Sequence, residues 1–353
     1  MNNTVGNQTG SAQLSGGRTD SGNDLRSESA PLLTIAIPTF NRAPYLERCL
    51  AQIVKQTAAF EDKVELIVSD NCSTDQTEEV VNRYIAGGSR INFLKNHQNL
   101  GPDGNFRKCF EAARGTYFLL FSDDDLLLDG ALGRILSVIE SSEYGVVYLR
   151  TYFFVSDHER ERPNRKTTGP VIFDDLARFI DKVDVWFTFI SGNVINKSLV
   201  YPELNLADFE QTNLLQLSWT FSSLFNSRRN VYYDDYLVAG QGDNTGGYKF
   251  CEVFGSKMYS VFRIFIEKFG VDRKYFDIIT RKSLKKHLSK YILSSRKGFG
   301  SYHEEDYLKI LHPIYSSYLS YWIFIYPAIV WPLPLAKAWC KTCRFFAKLF
   351  GRL

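Results

Sequence analysis

The sequence predicts an α/β fold in which a mostly parallel sheet is flanked by helices and followed by a helical C-terminal region. Between residues 32 and 150, apolar runs of strand length alternate with longer amphipathic segments, an alternation typical of a parallel sheet. The 353 residues are 44% hydrophobic and 15% aromatic, so the chain has enough apolar surface for a large buried core.

Five apolar runs predict the first strands, at residues 33–37, 64–68, 91–94, 117–121 and 146–149. Between them, helices are predicted at about residues 45–57, 73–85, 104–114 and 129–140. Pro44 is suited to the first turn of the first helix, and Ser73 with Gln76 predicts a capping box for the second. Gly115 predicts the end of the third helix.

We divide the chain into four parts, at residues 1–30, 31–150, 151–245 and 246–353. Residues 1–30 are mostly Asn, Gly, Ser, Thr and Gln, so we expect a disordered tail, and they contain no signal-peptide pattern. After about residue 150 the alternation stops, and after about residue 245 the chain becomes helical, basic and aromatic. Six cysteines are too few for a disulfide scaffold of this length, which fits a reducing, cytosolic location.

The net charge of +3 hides a strong asymmetry. Residues 1–243 contain 23 Lys and Arg against 32 Asp and Glu, whereas residues 244–353 contain 19 against 7. This distribution argues against a uniformly basic protein that binds nucleic acid. A basic segment rich in Tyr and Trp instead predicts contact with an anionic membrane surface.

Three polar clusters follow predicted strands, at residues 38–42, 70–75 and 122–125. Because ligands of open α/β sheets bind at the carboxyl ends of the strands, we expect these clusters to form one site. A single carboxylate at such a place is commonly only a helix cap. The three consecutive aspartates of the last cluster repel one another, and such hard oxygen ligands suit Mg²⁺ or Mn²⁺, which bind phosphate oxygens. A solvated acidic turn is the alternative.

Five motifs in order resemble family 2 glycosyltransferases, most closely the abequosyltransferase-like members of bacterial polysaccharide synthesis. The motifs lie at residues 37–42, 68–75, 99–101, 113–115 and 121–125, and the resemblance fades after residue 150. It implies a GT-A (Rossmann-like) fold, a nucleotide-sugar donor, a Mn²⁺ or Mg²⁺ ion and inverting transfer to an acceptor hydroxyl. On this basis, residues 31–150 would bind the donor, and residues 151–245 would bind the acceptor and supply the catalytic base.

The resemblance also implies roles for individual residues. The implied donor-binding residues are Pro38, Thr39, Asn41, Asp70, Asn71, Asn99 and Asp123. Within this set, Asp70 would bond the nucleotide base, and Asp123 would face the ribose and the metal. Asp124 matches the metal-binding aspartate, with Asp125 beside it as a second metal ligand. Ser122 stands where many members carry the first aspartate of an Asp-x-Asp motif.

An inverting displacement needs a general base across the sugar from the metal. In the family the base belongs to an acidic pair at a helix start, and the matching residues here are Glu210 and Gln211, with Asp208 nearby. Glu210 is the first candidate and Asp208 the second, and an ordinary charge at a helix N-terminus is the alternative. Residues 191–193 could lie near the acceptor or form an ordinary turn. The glycine-rich residues 240–248 could form a lid or an interdomain loop.

The C-terminal part combines an uncharged aromatic stretch with a basic helix. Residues 310–336 contain no Asp, Glu, Lys or Arg, but Pro327, Pro332 and Pro334 interrupt them, so a membrane-spanning helix is not favoured. From Lys337 to Arg352, basic residues recur every three or four positions among Trp and Phe, which predicts an interfacial amphipathic helix. A helix packed on the core is the alternative. Cys340 and Cys343 have no second pair, so zinc is not expected.

The combined prediction is a metal-dependent inverting glycosyltransferase that adds a single sugar to a polyprenyl-linked saccharide in cell-surface polysaccharide assembly. Its expected location is the cytoplasmic face of a bacterial inner membrane, bound peripherally through the C-terminal helix. One alternative is a non-catalytic scaffold with the same fold, which the altered pair at Gln211 keeps open. A sugar-nucleotide pyrophosphorylase is less favoured, because its glycine-rich loop with Arg and Lys is missing after the first strand.

Overall fold

The computed structural model describes residues 30–242, 249–297 and 306–350, with side chains up to residue 347. The predicted tail up to residue 29, the predicted boundary near residue 245 and residues 243–248 of the glycine-rich stretch lie outside the described residues. The side chains of the last basic residues of the predicted interfacial helix, Lys348 and Arg352, also lie outside them.

A nine-stranded sheet forms the centre of the α/β region. Its strands are β1 (Leu33–Thr39), β2 (Val64–Asp70), β3 (Ile91–Lys95), β4 (Tyr117–Leu120), β5 (Leu126–Leu127), β6 (Val146–Phe154), β7 (Pro170–Phe173), β8 (Asn193–Asn196) and β9 (Asn230–Gln241). The order across the sheet is β3-β2-β1-β4-β8-β6-β9-β5, and β7 also pairs with β9. The first four strands in this order are parallel, which confirms the predicted α/β fold. Beyond β4 the sheet is mixed, because β8 runs antiparallel to both β4 and β6.

Helices flank the sheet and continue into the C-terminal region. They are α1 (Ala43–Thr57), α2 (Thr77–Ala86), α3 (Gly101–Ala112), α4 (Ala131–Ser141), α5 (Leu176–Val183), α6 (Gln216–Phe225), α7 (Met258–Phe269), α8 (Arg273–Lys282), α9 (Ser289–Ser295), α10 (Tyr307–Tyr315), α11 (Tyr326–Val330) and α12 (Leu333–Phe350). Short π-helical stretches adjoin several of the later helices, at Glu252–Lys257, Ser283–Leu288 and Tyr321–Ile325. The four helices predicted before residue 141 correspond to α1 to α4, with ends shifted by a few residues.

The predicted capping box at Ser73 is wrong. The Ser73 hydroxyl accepts a hydrogen bond from the backbone N–H of Asn41, 2.8 Å away, and therefore belongs to the turn after β1. Helix α2 begins only at Thr77, whose backbone N–H donates to the Asp75 carboxylate at 3.1 Å. A long-range partner has displaced the local cap that the spacing predicted.

Gly115 has a different role from the predicted helix cap. Helix α3 already ends at Ala112, and Gly115 lies against the start of β1. A Cβ atom at position 115 would lie 2.5 Å from the backbone nitrogen of Thr34, closer than real Cβ atoms approach. The glycine is therefore needed for the close approach of two backbone segments.

Strand β6 is longer than predicted, since it continues to Phe154 instead of ending at residue 149. It runs through position 150, where the composition changes, so that change does not interrupt the sheet. Arg150, which disrupts the apolar pattern, pairs with Asp234 of β9 at 2.8 Å. A polar residue in the strand is thus neutralised by its neighbour, a contact that a local pattern does not reveal.

Two apolar cores cover the two faces of the sheet. On β1, Leu33 and Ile35 belong to one core and Ala36 to the other, as the alternation of side chains in a strand requires. In the second core, Trp219 of α6 stacks on Phe110 of α3, with ring centroids 4.5 Å apart. This contact joins the residues after position 150 to the first half of the chain.

The C-terminal helices form a third core, which includes Leu288, Phe324 and Cys340. Helix α12 buries Ala336 and Cys340 there, while the neighbouring Trp339 is exposed on its outer side. Across residues 30–242, 249–297 and 306–350, no helix has the length and apolar character needed to cross a membrane.

The parallel register places the polar clusters side by side. Pro38 and Thr39 at the end of β1 pair with Ser69 and Asp70 at the end of β2. Just after β4, the backbone N–H of Phe121 donates to a carbonyl of β1 at 2.8 Å. The clusters that follow β1, β2 and β4 therefore meet at one edge of the sheet, as the sequence predicted.

Candidate active site

Two carboxylates and one guanidinium form the centre of the site. Asp123 accepts a hydrogen bond from the Thr39 hydroxyl at 2.8 Å and another from Arg42 Nη1 at 2.9 Å. Arg42 Nη2 donates to Asp124 Oδ2 at 3.1 Å, and the Ser122 hydroxyl donates to Asp124 Oδ1 at 2.5 Å. Arg42 thus bridges neighbouring carboxylates and offsets their repulsion.

Asp125 has a separate set of partners. One of its oxygens accepts from the Ser191 hydroxyl at 2.6 Å, and the other accepts from the backbone N–H of Gln241 at 3.0 Å. The Ser191 oxygen also accepts from the backbone N–H of Ser122 at 2.9 Å. These contacts tie the acidic turn to β9 and to the segment before β8. The role of Asp125 as a second metal ligand stays a prediction.

Burial opposes the ionisation of these carboxyl groups. It raises the pKa of Asp123 to about 7, although Arg42 acts in the opposite direction. Burial, followed by the neighbouring Asp124, raises the pKa of Asp125 to about 8. A cation close to Asp123 would stabilise its ionised form, so the site favours positive charge.

The turn between β1 and α1 is held by the cluster that follows β2. Asn41 has a left-handed φ of 53°, which Asn tolerates better than most residues do. Its side-chain oxygen accepts from the backbone N–H of Thr74 at 2.7 Å, and its own N–H donates to Ser73. Asp70 accepts from the backbone N–H of Ser73 at 3.0 Å. The structure thus joins two of the predicted donor residues, Asn41 and Asp70, through one network.

Asn71 forms hydrogen bonds with residues at and just before the N-terminus of α3. Its Nδ2 donates to Asn99 Oδ1 at 2.8 Å and to the Gly101 carbonyl at 3.1 Å. Its Oδ1 accepts from Asn96 Nδ2 at 3.0 Å. These amide groups connect the end of β2 to the first turn of α3 and bring Asn71 and Asn99, both predicted donor residues, into contact.

The carboxylate ligands of this site suit a divalent cation that is also bound by a substrate. In the part of the chain that the structure describes, no group of three His, Cys, Asp or Glu side chains forms a complete protein cage for a metal. Mg²⁺ in particular is commonly held by one or two carboxylates, with substrate phosphates and water completing its shell. Asp123 and Asp124 supply two carboxylates, and the Arg42 guanidinium already places positive charge between them.

The two predicted base residues each pair with a cation from another helix. Glu210 Oε1 lies 2.5 Å from Arg107 Nη2 of α3, and 45% of the Glu210 side chain remains exposed. Asp208 pairs with Lys268 of α7 at 2.7 Å. Neither residue starts a long helix: Asp208 belongs to a short 3₁₀ turn, and Glu210 follows that turn in extended conformation.

The loop between Glu210 and α6 is anchored to α3 by Asp103. This buried carboxylate accepts from the backbone N–H groups of Asn213 at 3.0 Å and Leu215 at 3.4 Å. Gln211 and Asn213 both adopt left-handed φ values, 62° and 56°. The loop is therefore held in a strained shape beside α3, whose first residue contacts Asn71.

Two amide side chains hydrogen-bond to the backbone of the segment before β8. Gln216 Nε2 donates to the Thr188 carbonyl at 2.9 Å, and Asn193 Nδ2 donates to the carbonyls of Phe187 and Phe189 at 3.0 and 2.8 Å. Through Ser191 the same segment reaches Asp125. The 191–193 turn, singled out in the sequence, thus contacts the acidic cluster.

Residues 34–201, just under half of the chain, match the profile of Glycosyl transferase family 2. The chain carries a family 2 glycosyltransferase domain. Abequosyltransferase RfbV of Salmonella typhimurium is 38% identical over 111 residues, 31% of this chain and 33% of that protein. The GalNAc(5)-diNAcBac-PP-undecaprenol beta-1,3-glucosyltransferase of Campylobacter jejuni is 38% identical over 107 residues, 30% of this chain and 34% of that protein.

The matches to these two curated relatives span about a third of their length. Among solved structures, S. aureus TarS 1-349 in complex with UDP-GlcNAc has a TM-score of 0.55 at 17% identity, covering 74% of this chain and 80% of that one. TarS 1-349 without a named ligand gives a TM-score of 0.54 at 18% identity, covering 74% of each chain. These similarities confirm the GT-A fold of the glycosyltransferase domain.

Three contacts of the candidate site were not predicted from the sequence. Arg42 lies within the motif at residues 37–42 without a predicted role, although a lone arginine beside acidic clusters is a usable signal for charge pairing. Gln241 binds Asp125 through its backbone, which carries no sequence signal. Arg107, the partner of Glu210, lies in α3, and no sequence pattern predicts a role for it.

The raised pKa of Asp123 predicts a pH-dependent change in stability. The unfolded chain ionises Asp near pH 4, whereas the folded protein keeps this proton until about pH 7, so the free energy of unfolding falls as pH rises between these values. In Asp123→Asn we expect the free energy of unfolding to fall less steeply as pH rises. The slope should be smaller than that of the wild type by up to about 1.4 kcal/mol per pH unit. Urea unfolding from pH 4.5 to 7.5 with a chelator present measures this, with the exposed-site variant Asp129→Asn as control. Parallel curves for Asp123→Asn and the wild type would contradict the assignment.

Proposed function

We propose that this chain transfers a single sugar from a nucleotide-sugar donor to a hydroxyl of a saccharide acceptor, with inversion and with a divalent cation. The observation that carries the proposal is the buried Asp123–Asp124 pair, bridged by a cationic group at the carboxyl edge of the parallel strands. A site built to hold positive charge between two carboxylates suits the binding of a diphosphate through a metal ion.

The donor would lie along the ends of β1 and β2. Thr39, Asn41, Asp70, Asn71 and Asn99 form connected networks there, and Pro38 adjoins them in β1. The similarity in fold to TarS, which has been solved with UDP-GlcNAc, supports a nucleotide sugar as the donor. Asp70 would accept from the base, and Asp123 would face the ribose.

Asp124, with Asp123 beside it, would hold the Mn²⁺ or Mg²⁺ ion. When bound, such an ion offsets the negative charge that grows on the departing nucleoside diphosphate. The chain itself contributes Ser122, which fixes one oxygen of Asp124, and Thr39, which fixes Asp123. Asp125 would keep the turn in place from the other side.

The acceptor hydroxyl must lose a proton during transfer, and Glu210 is the residue that we propose as the base. Nearly half of its side chain is exposed, and its loop is anchored beside the donor-binding end of α3. Arg107 would hold the carboxylate in position between turnovers. Asp208 remains the second candidate, with Lys268 as its partner.

We further propose a lipid-linked saccharide as the acceptor and a peripheral position on the cytoplasmic face of a bacterial inner membrane. The name of the C. jejuni relative includes a PP-undecaprenol-linked saccharide, which supports an acceptor of this kind. The described C-terminal helices expose a set of large apolar side chains, here called the C-terminal aromatic surface. It consists of Trp322, Trp331, Leu335, Trp339, Phe345 and Phe346.

Several side chains of this surface lie close together. The rings of Trp331 and Trp339 lie 5.6 Å apart, and Trp339 Nε1 donates to the Ile323 carbonyl, next to Trp322. Exposed Lys341 lies on the same helix, and Lys286 and Lys290 add charge on the neighbouring helical segment. Exposed Trp and Phe beside basic residues are typical of proteins that bind the membrane interface.

The metal-site proposal is tested by Asp124→Ala. We expect the variant to fold, to lose Mn²⁺-dependent binding of nucleoside diphosphates, and to lose transfer activity at least about 100-fold, because charge stabilisation of the leaving group is removed. Calorimetry with UDP, GDP, CDP and dTDP in the presence of Mn²⁺ measures binding, and Asp129→Asn serves as the control. If none of the four binds to the wild type, the scaffold alternative is favoured instead. Full activity in Asp124→Ala would refute the metal site.

The base is tested by comparing Glu210→Gln with Asp208→Asn. We expect Glu210→Gln to lower kcat about 100-fold or more while the donor KM stays constant, since only proton removal is affected. Asp208→Asn should change kcat only slightly. A normal kcat for Glu210→Gln together with a large loss for Asp208→Asn would reverse the assignment.

Membrane binding is tested by the triple variant Trp331→Ala, Leu335→Ala, Phe345→Ala. We expect at least about tenfold weaker co-sedimentation with phosphatidylglycerol-rich vesicles, because each exposed side chain loses favourable burial at the interface. Ile172→Ala, an exposed apolar residue on β7, is the matched control. Equal binding of the triple variant and the wild type would remove the C-terminal aromatic surface as a membrane contact.

A further inference from the structure

A second group of exposed rings lies beside the acidic cluster, distant in sequence from the C-terminal aromatic surface. Phe153 of β6 is 44% exposed and Trp186 is 40% exposed, with ring centroids 5.6 Å apart and planes inclined by 32°. Half-buried Phe189 meets Phe153 edge-on at 5.5 Å. We call these three residues the aromatic platform. Large rings that stay exposed in a connected group commonly mark a binding surface.

The platform is tied to Asp125 from two directions. Phe189 and Trp186 belong to the segment that ends at Ser191, whose hydroxyl donates to Asp125. Phe153 packs over Gly240, and the next residue, Gln241, donates its backbone N–H to Asp125. The rings therefore lie on elements that the acidic turn itself holds in place.

The platform also lies on the opposite side of β4 from the donor networks. In the sheet order, β2 and β1 precede β4, whereas β8, β6 and β9 follow it. The residues that we assign to the donor lie at the ends of β1 and β2. A molecule on the platform would thus approach the Asp123–Asp124 centre from the side that the donor leaves open.

The local structure holds the rings in fixed positions. A Cβ at position 240 would lie 2.8 Å from the Phe153 ring, so this glycine leaves the space that the ring occupies. His287 meets the Trp186 ring edge-on at 6.0 Å and pairs with Asp184 at 3.6 Å. With Asn193 and Gln216 bracing the backbone of residues 187–189, the surface is preorganised.

We propose that the aromatic platform binds a pyranose ring of the saccharide acceptor, with the C–H face of the sugar packed on Trp186 and Phe153. A sugar ring has an apolar face and a polar rim, so flat aromatic surfaces beside polar groups suit it. Ser191 and Asp125, which are buried and bonded to each other, would hold the platform in place beneath the sugar. The proposal rests on the proposed glycosyl transfer, to which it adds the place and the chemistry of acceptor recognition.

The test uses methyl β-glycosides of glucose, galactose, N-acetylglucosamine and N-acetylgalactosamine as probes. Ligand-observed NMR titrations with the full chain, in the presence of UDP and Mg²⁺, measure sugar and nucleotide binding in the same sample. We expect at least one glycoside to bind, and Trp186→Ala to weaken that binding about tenfold, which corresponds to about 1.4 kcal/mol. Trp186→Phe, which keeps a ring, should retain most of the affinity.

Two further variants separate a surface effect from a loss of fold. Gly240→Ala should displace the Phe153 ring and weaken the same glycoside, whereas Ile172→Ala should not change its binding. UDP binding should be the same in all variants. Equal affinity of Trp186→Ala and the wild type, or no binding of any glycoside to the wild type, would overturn the platform. Failure of UDP to bind the wild type would instead count against the proposed donor site.

Discussion

The site depends on the neutralisation of three consecutive carboxyl groups that the fold buries after β4. Asp123 and Asp124 share the guanidinium of Arg42, whereas Asp125 binds the Ser191 hydroxyl and the backbone of β9. To supply these partners, β1, the segment before β8 and the end of β9 must all reach the same turn. The requirement to satisfy buried charge thus explains why distant parts of the sheet converge on this point.

The parallel half of the fold could be predicted because its signals are local. Strands β1 to β4 are short apolar runs, and the helices between them show amphipathic periodicity, so their existence and order follow from neighbouring residues. The meeting of the three polar clusters also follows, since the carboxyl ends of parallel strands share one edge. The sequence could therefore predict that the residues around Asn41 and Asn71 lie close together at this edge.

The features that could not be predicted depend on contacts between residues far apart in the chain. Asp125 and Gln241 are 116 positions apart, and no pattern around either predicts the contact. Strand β6 continues past Arg150, which forms an ion pair with Asp234 of β9. Ser73 has the spacing of a helix cap, yet its hydroxyl serves the turn at Asn41. In each case a tertiary hydrogen bond or ion pair outweighs the local preference.

Arg42 has a consequence for the order in which ligands reach the proposed site. A guanidinium bound to both Asp123 and Asp124 competes with a free cation for these carboxylates. A diphosphate that arrives with the cation offers the displaced guanidinium a new anionic partner. Cation and nucleotide then strengthen each other's binding by the same factor, as thermodynamic linkage requires. The protein would thereby discriminate against metal that arrives without its nucleotide.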